Sequence, residues 1–363
     1  MTLALIKILL VFFLTLILSL VFTKFLVNMQ YKIGVLDKPG KRKIHTKETP
    51  TMGGVSIFLA FIISYVLFVY KDQGEFVPLI LSLTILFVVG IVDDIYKIKS
   101  SIKLVFQIFA AVLLVYFLPE IQIKSLYSLN SIVNFSFSEI SSFLLSVFLI
   151  ISLVNAYNLS DGIDGLASSI AIFILLLLSV YFYINNQVHL FFICLIMLSA
   201  VLGFLVLNWF PAKIFMGDTG SLIIGFFLSF VLLKFVNTNE TAEYAIKPSF
   251  TVCAVLFAYP VFDLIRVFYL RLKFKRSPFS PDKLHTHLIL KRLGFAEPKI
   301  CFLIIVVNSI QLLLILYLNY IGVNEVFLLL FYLVSFCLFN LILKKKIKKH
   351  KLKKTKNNEL KSS

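Results

Sequence analysis

The sequence predicts an all-α polytopic membrane protein of about eleven transmembrane helices with a functional site at its cytoplasmic face. Three observations carry that reading. Only 15% of the 363 residues are charged and 60% are hydrophobic, whereas soluble domains carry roughly 25% charged residues to cover their surface. Apolar runs near the roughly 20 residues needed to cross a bilayer recur along residues 1–343. Clusters of Lys, Arg, His, Asp and Asn fall at every second break between those runs, at 37–54, 93–103, 155–165, 208–221 and 271–292. A chain that crosses once per run returns alternate breaks to one side, so the five clusters are expected at one membrane surface.

Taken in order, the expected spans are 3–27, 52–70, 77–96, 102–118, 138–156, 166–184, 188–207, 220–237, 249–270, 299–319 and 323–343. The first is too long for a secretory leader and no small-residue cleavage site follows it, so it is expected to be retained. Polar stretches at 29–51 and 271–298 are too short for a core of their own. Residues 1–343 therefore form one integral membrane domain, and 344–363 a basic, disordered cytoplasmic tail.

Charge orients the spans. The odd-numbered breaks hold Lys32, Lys38, Lys41, Arg42, Lys43, Lys47, Lys97, Lys99, Lys213, Arg271, Lys273, Lys275, Arg276, Lys283, Lys291 and Arg292; the even-numbered ones hold little beyond Lys71, Lys124 and Lys247. By the positive-inside rule the odd breaks and the tail are cytoplasmic and the N-terminus is outside. Net charge is +17, much of it in the tail. Such a tail is first a topology signal and can also hold anionic membrane lipids. It lacks interleaved aromatics and abuts a span, which excludes nucleic acid as a partner. The four cysteines, Cys194, Cys253, Cys301 and Cys337, all lie in apolar runs without a CxxC pair, so they read as buried hydrophobes.

Five segments carry the chemistry. His45 and Lys47 stand in a basic first loop that ends at Gly53-Gly54; the loop serves topology or binds substrate, and the glycine pair allows close helix packing or ligand approach. Asp93 and Asp94 end the third span, with Lys97, Lys99 and Lys103 close behind. Adjacent carboxylates repel each other and stay ionised more easily beside a cation or a basic partner, so they form either a solvated helix end or a pair serving a bound metal or phosphate. Asn155 and Asn158 share a helix face at i,i+3, and Asp161, Gly162, Asp164 and Gly165 follow. A capped turn explains one such residue but not four within ten; an Asn carbonyl there is a candidate metal ligand. Phe215-Met216-Gly217-Asp218 opens the eighth span. Asp218 either caps that helix or holds Mg²⁺ against phosphate, since Mg²⁺ uses one or two carboxylates plus substrate oxygens. In the last loop, His285 and His287 at i,i+2 suit donation to phosphate or sugar hydroxyls better than zinc. Asp263 and Arg266 inside the ninth span are expected to form a packed ion pair.

Together these segments resemble the polyprenyl-phosphate N-acetylhexosamine-1-phosphate transferases of glycosyltransferase family 4. The marks are His45-x-Lys47-x-x-Pro50-x-x-Gly53-Gly54, Asp93-Asp94, Asn155-x-x-Asn158-x-x-Asp161-Gly162-x-Asp164-Gly165, Gly217-Asp218-x-Gly220-Ser221 and the histidine-containing last loop. The resemblance implies a bacterial plasma-membrane enzyme, acting at the first membrane step of cell-envelope polysaccharide synthesis. It would transfer N-acetylhexosamine-1-phosphate from a UDP-sugar to polyprenyl phosphate and release UMP, with Mg²⁺ as cofactor and Mn²⁺ as an alternative. It assigns the metal to Asp218 and Asn158, and the lipid phosphate to Asp93 and Asp94. Lys103, His285 and His287 would neutralise diphosphate charge. Asp161, Gly162, Asp164 and Phe215 would line the uridine pocket, with His45, Lys47 and Asn155 as further substrate contacts. A homodimer is compatible with the resemblance.

Two departures bear on the sugar. Leu288 stands where the family usually has a further histidine, and Pro50-Thr51-Met52 replaces the common Pro-Arg-x before the glycine pair. The branch that uses UDP-MurNAc-pentapeptide usually carries three histidines and a nearby acidic residue. Their absence favours GlcNAc and leaves that branch as the alternative. A secondary transporter is the rival from another class; its ion-path carboxylates would lie near the midplane, whereas here they cluster at span ends. Asp218→Ala or Asp94→Ala is expected to abolish transfer while leaving the fold intact.

Overall fold

The computed structural model describes residues 2–34, 36–37, 48–70, 74–125, 136–277, 284–339, 341 and 345–346. His45, Lys47 and the tail beyond residue 346 lie outside the described residues. The described residues form two compact units, one ending at Ile246 and one beginning at Lys247.

The first unit holds eight helices: α1 (Thr2–Ile33), α2 (Gly53–Phe68), α3 (Val77–Tyr96), α4 (Ser100–Phe117), α5 (Glu139–Asn158), α6 (Leu166–Ile184), α7 (Val188–Asn208) and α8 (Gly217–Asn239). A short antiparallel pair, β1 (Leu36–Asp37) and β2 (Thr49–Pro50), ties together the two ends of the first loop. The second unit holds α9 (Ser249–Leu256), α10 (Ala258–Lys273), α11 (Thr286–Arg292), α12 (Glu297–Tyr320) and α13 (Glu325–Phe339).

Among the described residues, eight helices are long and apolar enough to cross a membrane, and nine if α9 and α10 form one bent span. The protein is an all-α, multi-pass membrane protein. The helices α2 and α13 are apolar but shorter. The run 249–270, expected as one span, is two helices bent by 71°. Pro260 explains the break, because it lacks the N–H that would bond the carbonyl of Leu256 and its ring crowds that carbonyl. Near the bend, the hydroxyl of Tyr332 donates to the carbonyl of Ala254 at 2.5 Å.

Helix α8 is the centre of the first unit: its most apolar 18-residue window is wholly buried, and α2, α3, α5 and α6 pack around it. Without a hydrophobic drive between helices in lipid, such packing relies on small residues and interhelical hydrogen bonds. A Cβ on Gly54 of α2 would overlap the backbone of Gly220 of α8, and one on Gly90 of α3 would overlap the backbone of Thr219. On the far side of α8, Gly225 lies against Val154 and Tyr157 of α5. Hydrogen bonds from Thr15 to Ser64 (2.7 Å) and from Thr23 to Ser56 (2.8 Å) join α1 to α2, and one from Ser19 to the carbonyl of Ala200 (2.6 Å) joins α1 to α7.

The other end of α8 is held by charge. Lys234, buried, reaches Glu75 before α3 and Glu120 after α4, each at 3.1 Å. Three helices are thereby fixed at one end by a single ammonium group, while glycine contacts bring α2, α3 and α8 together at the other.

Candidate active site

The N-terminus of α8 organises the site. Met216 occupies the capping position and offers no side-chain cap, and Asp218 sits within the first turn. The cap comes from α3 instead. Asp94 Oδ1 accepts from the backbone N–H of Asp218 at 2.9 Å; its Oδ2 accepts from the Thr219 N–H at 3.2 Å and the Thr219 hydroxyl at 2.6 Å. Asp94 is therefore a buried cross-helix cap, and of the two readings of Asp218 the one that makes it the cap of its own helix gives way to this arrangement. The reason is geometric: Gly90, one turn earlier on α3, lets that helix lie against Thr219 closely enough for the carboxylate to reach the free N–H groups.

The segment before α8 is fixed by the first loop. Gly53 and Gly54 donate their backbone N–H groups to the carbonyls of Phe215 (3.0 Å) and Met216 (2.9 Å), and the N–H of Phe215 donates to Pro50 (2.9 Å). Close packing is thus what the glycine pair provides here.

With Asp94 turned to the helix end, Asp218 is free to face the other way. Lys103 of α4 bridges Asp218 and Asp93, its Nζ lying 3.1 Å from Asp93 Oδ2 and in direct contact with Asp218 Oδ2. Asn158 of α5 donates through Nδ2 to Asp218 Oδ1 (3.1 Å) and to the Ser221 hydroxyl (2.7 Å). One constellation thus joins α3, α4, α5 and α8. Behind it, Asn155 donates to Gln107 Oε1 at 2.7 Å. Gln107 was not singled out from the sequence, although an amide four residues after Lys103 in an apolar span shares its helix face.

The turn between α5 and α6 completes the acidic cluster. Gly165 adopts φ +73° beneath the ring of Trp209. Asp164 accepts from the N–H of Ala212 at 2.9 Å, pinning the turn to the loop before α8. Gly162 is exposed and Asp161 half-buried. Burial, with Asp218, Asp94 and Asp164 adding repulsion, pushes the Asp161 carboxyl up to about 8. Among the described residues Lys103 is the cation bonded to the cluster, which leaves it short of positive charge.

A divalent cation fits that shortage. Among the described residues no three His, Cys, Asp or Glu side chains gather at metal-binding spacing; Mg²⁺ takes one or two carboxylates and completes its shell with water and substrate oxygens. Asp218 and Asp93 are the carboxylates available. Asn158 presents Nδ2 to Asp218 in this arrangement; its Oδ1 would have to turn inward to act as a ligand.

In the second unit, His285 and His287 are both buried. His285 Nδ1 lies 2.6 Å from Asp263 Oδ2, and His287 Nδ1 lies 2.6 Å from the hydroxyl of Tyr259. Asp263 also accepts from the N–H of Thr286 at 2.7 Å, while Arg266 donates to the carbonyl of Leu284 at 2.5 Å.

The sequence is similar to known proteins. The family described as "Glycosyl transferase family 4" matches residues 76–236. A "Probable undecaprenyl-phosphate N-acetylglucosaminyl 1-phosphate transferase" of Bacillus subtilis is 29% identical over 292 residues, covering 80% of this chain and 79% of that protein. The "Undecaprenyl-phosphate alpha-N-acetylglucosaminyl 1-phosphate transferase" of Escherichia coli K12 is 28% identical, over 73% of this chain and 71% of that protein. Its namesake in Salmonella typhi is 30% identical over 77% of this chain and 75% of that protein.

The chain belongs to glycosyl transferase family 4.

The family match spans α3 to α8 and so contains every residue of the Asp93–Lys103–Asp218–Asn158 constellation. His45, Lys47, His285 and His287 fall outside that match. In this member of glycosyl transferase family 4, the matched range therefore covers the carboxylate and lysine cluster at the N-terminus of α8.

Proposed function

We propose that the protein transfers GlcNAc-1-phosphate from UDP-GlcNAc to undecaprenyl phosphate at the cytoplasmic face of the bacterial plasma membrane, releasing UMP. The observation that carries this reading is Lys103 held between Asp93 and Asp218 at the end of four apolar helices. That placement suits a reaction between two anions, one soluble and one embedded in lipid. The names of the relatives supply the sugar and the acceptor.

The chemistry is a phosphoryl transfer. An oxygen of the lipid phosphate attacks the β-phosphorus of UDP-GlcNAc, the bond from that phosphorus to the bridging oxygen breaks, and UMP leaves with that oxygen. A phosphate monoester has its second pKa near ~6 and is largely dianionic at neutral pH, so little base catalysis is required. Asp93 then chiefly orients the acceptor. Lys103 offsets charge that accumulates on the phosphates, where fixed positive groups in a water-poor site act most strongly. Mg²⁺, held by Asp218 with Asp93 or Asn158, would add Lewis-acid charge stabilisation; Mn²⁺ fits the same donors. Gly162 and the Asp161–Asp164 turn offer backbone and carboxylate acceptors for a uracil ring beside Phe215. His285, His287, His45 and Lys47 are assigned to substrate by family resemblance.

A panel of UDP-sugars with purified protein and undecaprenyl phosphate tests the reading. UMP release with UDP-GlcNAc that requires both the lipid and Mg²⁺ is expected. Release only with UDP-MurNAc-pentapeptide would move the protein to the peptidoglycan branch. No release with any UDP-sugar, together with solute flux in liposomes, would replace the reading with a transporter.

A further inference from the structure

We propose that Gln107 is a further substrate-binding residue, donating its side-chain N–H to the phosphate of the lipid acceptor. The inference rests on the transfer reaction proposed above, and every group in it belongs to the first unit. Two hydrogen bonds fix the Gln107 amide. The Ile151 carbonyl can only accept, so the Asn155 atom that meets it at 2.8 Å is the NH₂ group. The same NH₂ donates to Gln107 at 2.7 Å, so the Gln107 atom in that contact is the oxygen. Nε2 is thereby turned away from Asn155, and among the described residues no group accepts from it. Gln107 is only 3% exposed, so little bulk water reaches that donor. Buried N–H groups are nearly always bonded; this one is open to an acceptor that arrives with a ligand.

The place of the amide in the fold selects the ligand. Gln107 follows Lys103 by one turn on the same face of α4, and Asn155 precedes Asn158 by one turn on α5. The amide pair therefore lies beneath Lys103 and Asn158, about 6 Å further from the helix ends that carry the charged cluster. A soluble nucleotide sugar approaches from those ends. The lipid phosphate is tied to a chain that stays in hydrocarbon, so its oxygens are the ones that reach the inner side of the cluster. Lys103 Nζ is already shared between Asp93 and Asp218, whereas Gln107 Nε2 is committed to neither. A neutral amide also suits this depth, because a second buried ammonium group would need a carboxylate of its own.

A purely structural role would make the Gln107–Asn155 bond only a tie between α4 and α5. The experiment uses the full chain, ¹⁵N-labelled at glutamine side chains, in lipid nanodiscs with excess undecaprenyl phosphate and no UDP-sugar. Solid-state NMR reads ³¹P–¹⁵N dipolar dephasing, and Gln107→Met, a substitution of similar volume, assigns the signal. The Gln107 Nε2 signal should be dephased by the phosphomonoester resonance. In UMP-release assays Gln107→Met should raise KM for undecaprenyl phosphate roughly tenfold or more and change KM for UDP-GlcNAc less. Asn155→Ala breaks the same tie but keeps the donor, and should raise KM for the lipid less than Gln107→Met does. Absence of dephasing in the wild type, dephasing by the phosphodiester of bulk phospholipid instead, or equal effects of the two substitutions on both KM values would overturn the proposal. Phosphomonoester dephasing in a wild type that releases no UMP with any UDP-sugar would refute the reaction instead, and would leave Gln107 as a residue that binds the lipid phosphate.

Discussion

Asp94 of α3 caps the N-terminus of α8 through the backbone of Thr219, 125 residues away in sequence. The adjacent carboxylate, Asp93, binds Lys103 instead. Neighbours in sequence thus serve different ends, one holding the helix that carries Asp218 and the other joining the charged cluster.

That division changes what Asp94→Ala should do. The substitution leaves two N–H groups and a hydroxyl without a buried partner, at a cost of about 2–4 kcal/mol. A lower thermal midpoint is expected alongside lost activity, in contrast to the intact fold expected from the sequence. Asp94→Asn, which keeps one acceptor, should fall between. Thermal unfolding in detergent, read with UMP release, checks both.

Gly54→Ala places a methyl group against the backbone of Gly220. No side chain can move aside there, so α2 and α8 must separate. The expected cost is about 3 kcal/mol, with a matching fall in thermal midpoint and lower activity as Phe215 and Met216 shift. An unchanged midpoint would mean that the helices are not so closely seated.

Much of this architecture was legible in the sequence. Apolar runs marked the helices, the polar breaks at 93–103, 155–165 and 208–221 marked residues that meet at the N-terminus of α8, and Gly53-Gly54 marked a close approach. The distinct duties of Asp93 and Asp94 were not legible, because a carboxylate's role depends on which distant helix end it meets. Asp263 was read with Arg266 for the same reason: sequence proximity suggested that pair, whereas the fold brings in His285. The bend between α9 and α10 did have a local signal in Pro260, which hydrophobicity alone overrode. Gln107 was hidden as one polar residue in an apolar helix whose facing partner, Asn155, comes from α5.

Lys103→Met removes the cation between Asp93 and Asp218. Their repulsion is then unopposed, and phosphate charge in the transition state loses a fixed partner. The rate of UMP release should fall on the order of a hundredfold or more. Initial rates at saturating Mg²⁺ measure this; a fall of less than threefold, well under ~1.4 kcal/mol, would remove Lys103 from the reaction.

His287 predicts an acid-side loss of stability. Its pKa of about 4 in the folded protein lies below the ordinary 6.5, so the unfolded chain takes up the proton first as pH falls. Stability is full above about 6.5 and is lost as pH falls toward 4, by about 3 kcal/mol in total. Thermal midpoints measured against pH should show this slope, and His287→Gln should flatten it.

The most direct measurement is UMP release by Asp218→Asn in lipid nanodiscs, with UDP-GlcNAc, undecaprenyl phosphate and Mg²⁺, beside wild type. The cluster at the N-terminus of α8 predicts a loss of about a thousandfold or more, with helix content and thermal midpoint preserved because Asp94 still supplies the cap. A folded Asp218→Asn protein that retains wild-type turnover would contradict the assignment of this cluster as the reaction centre.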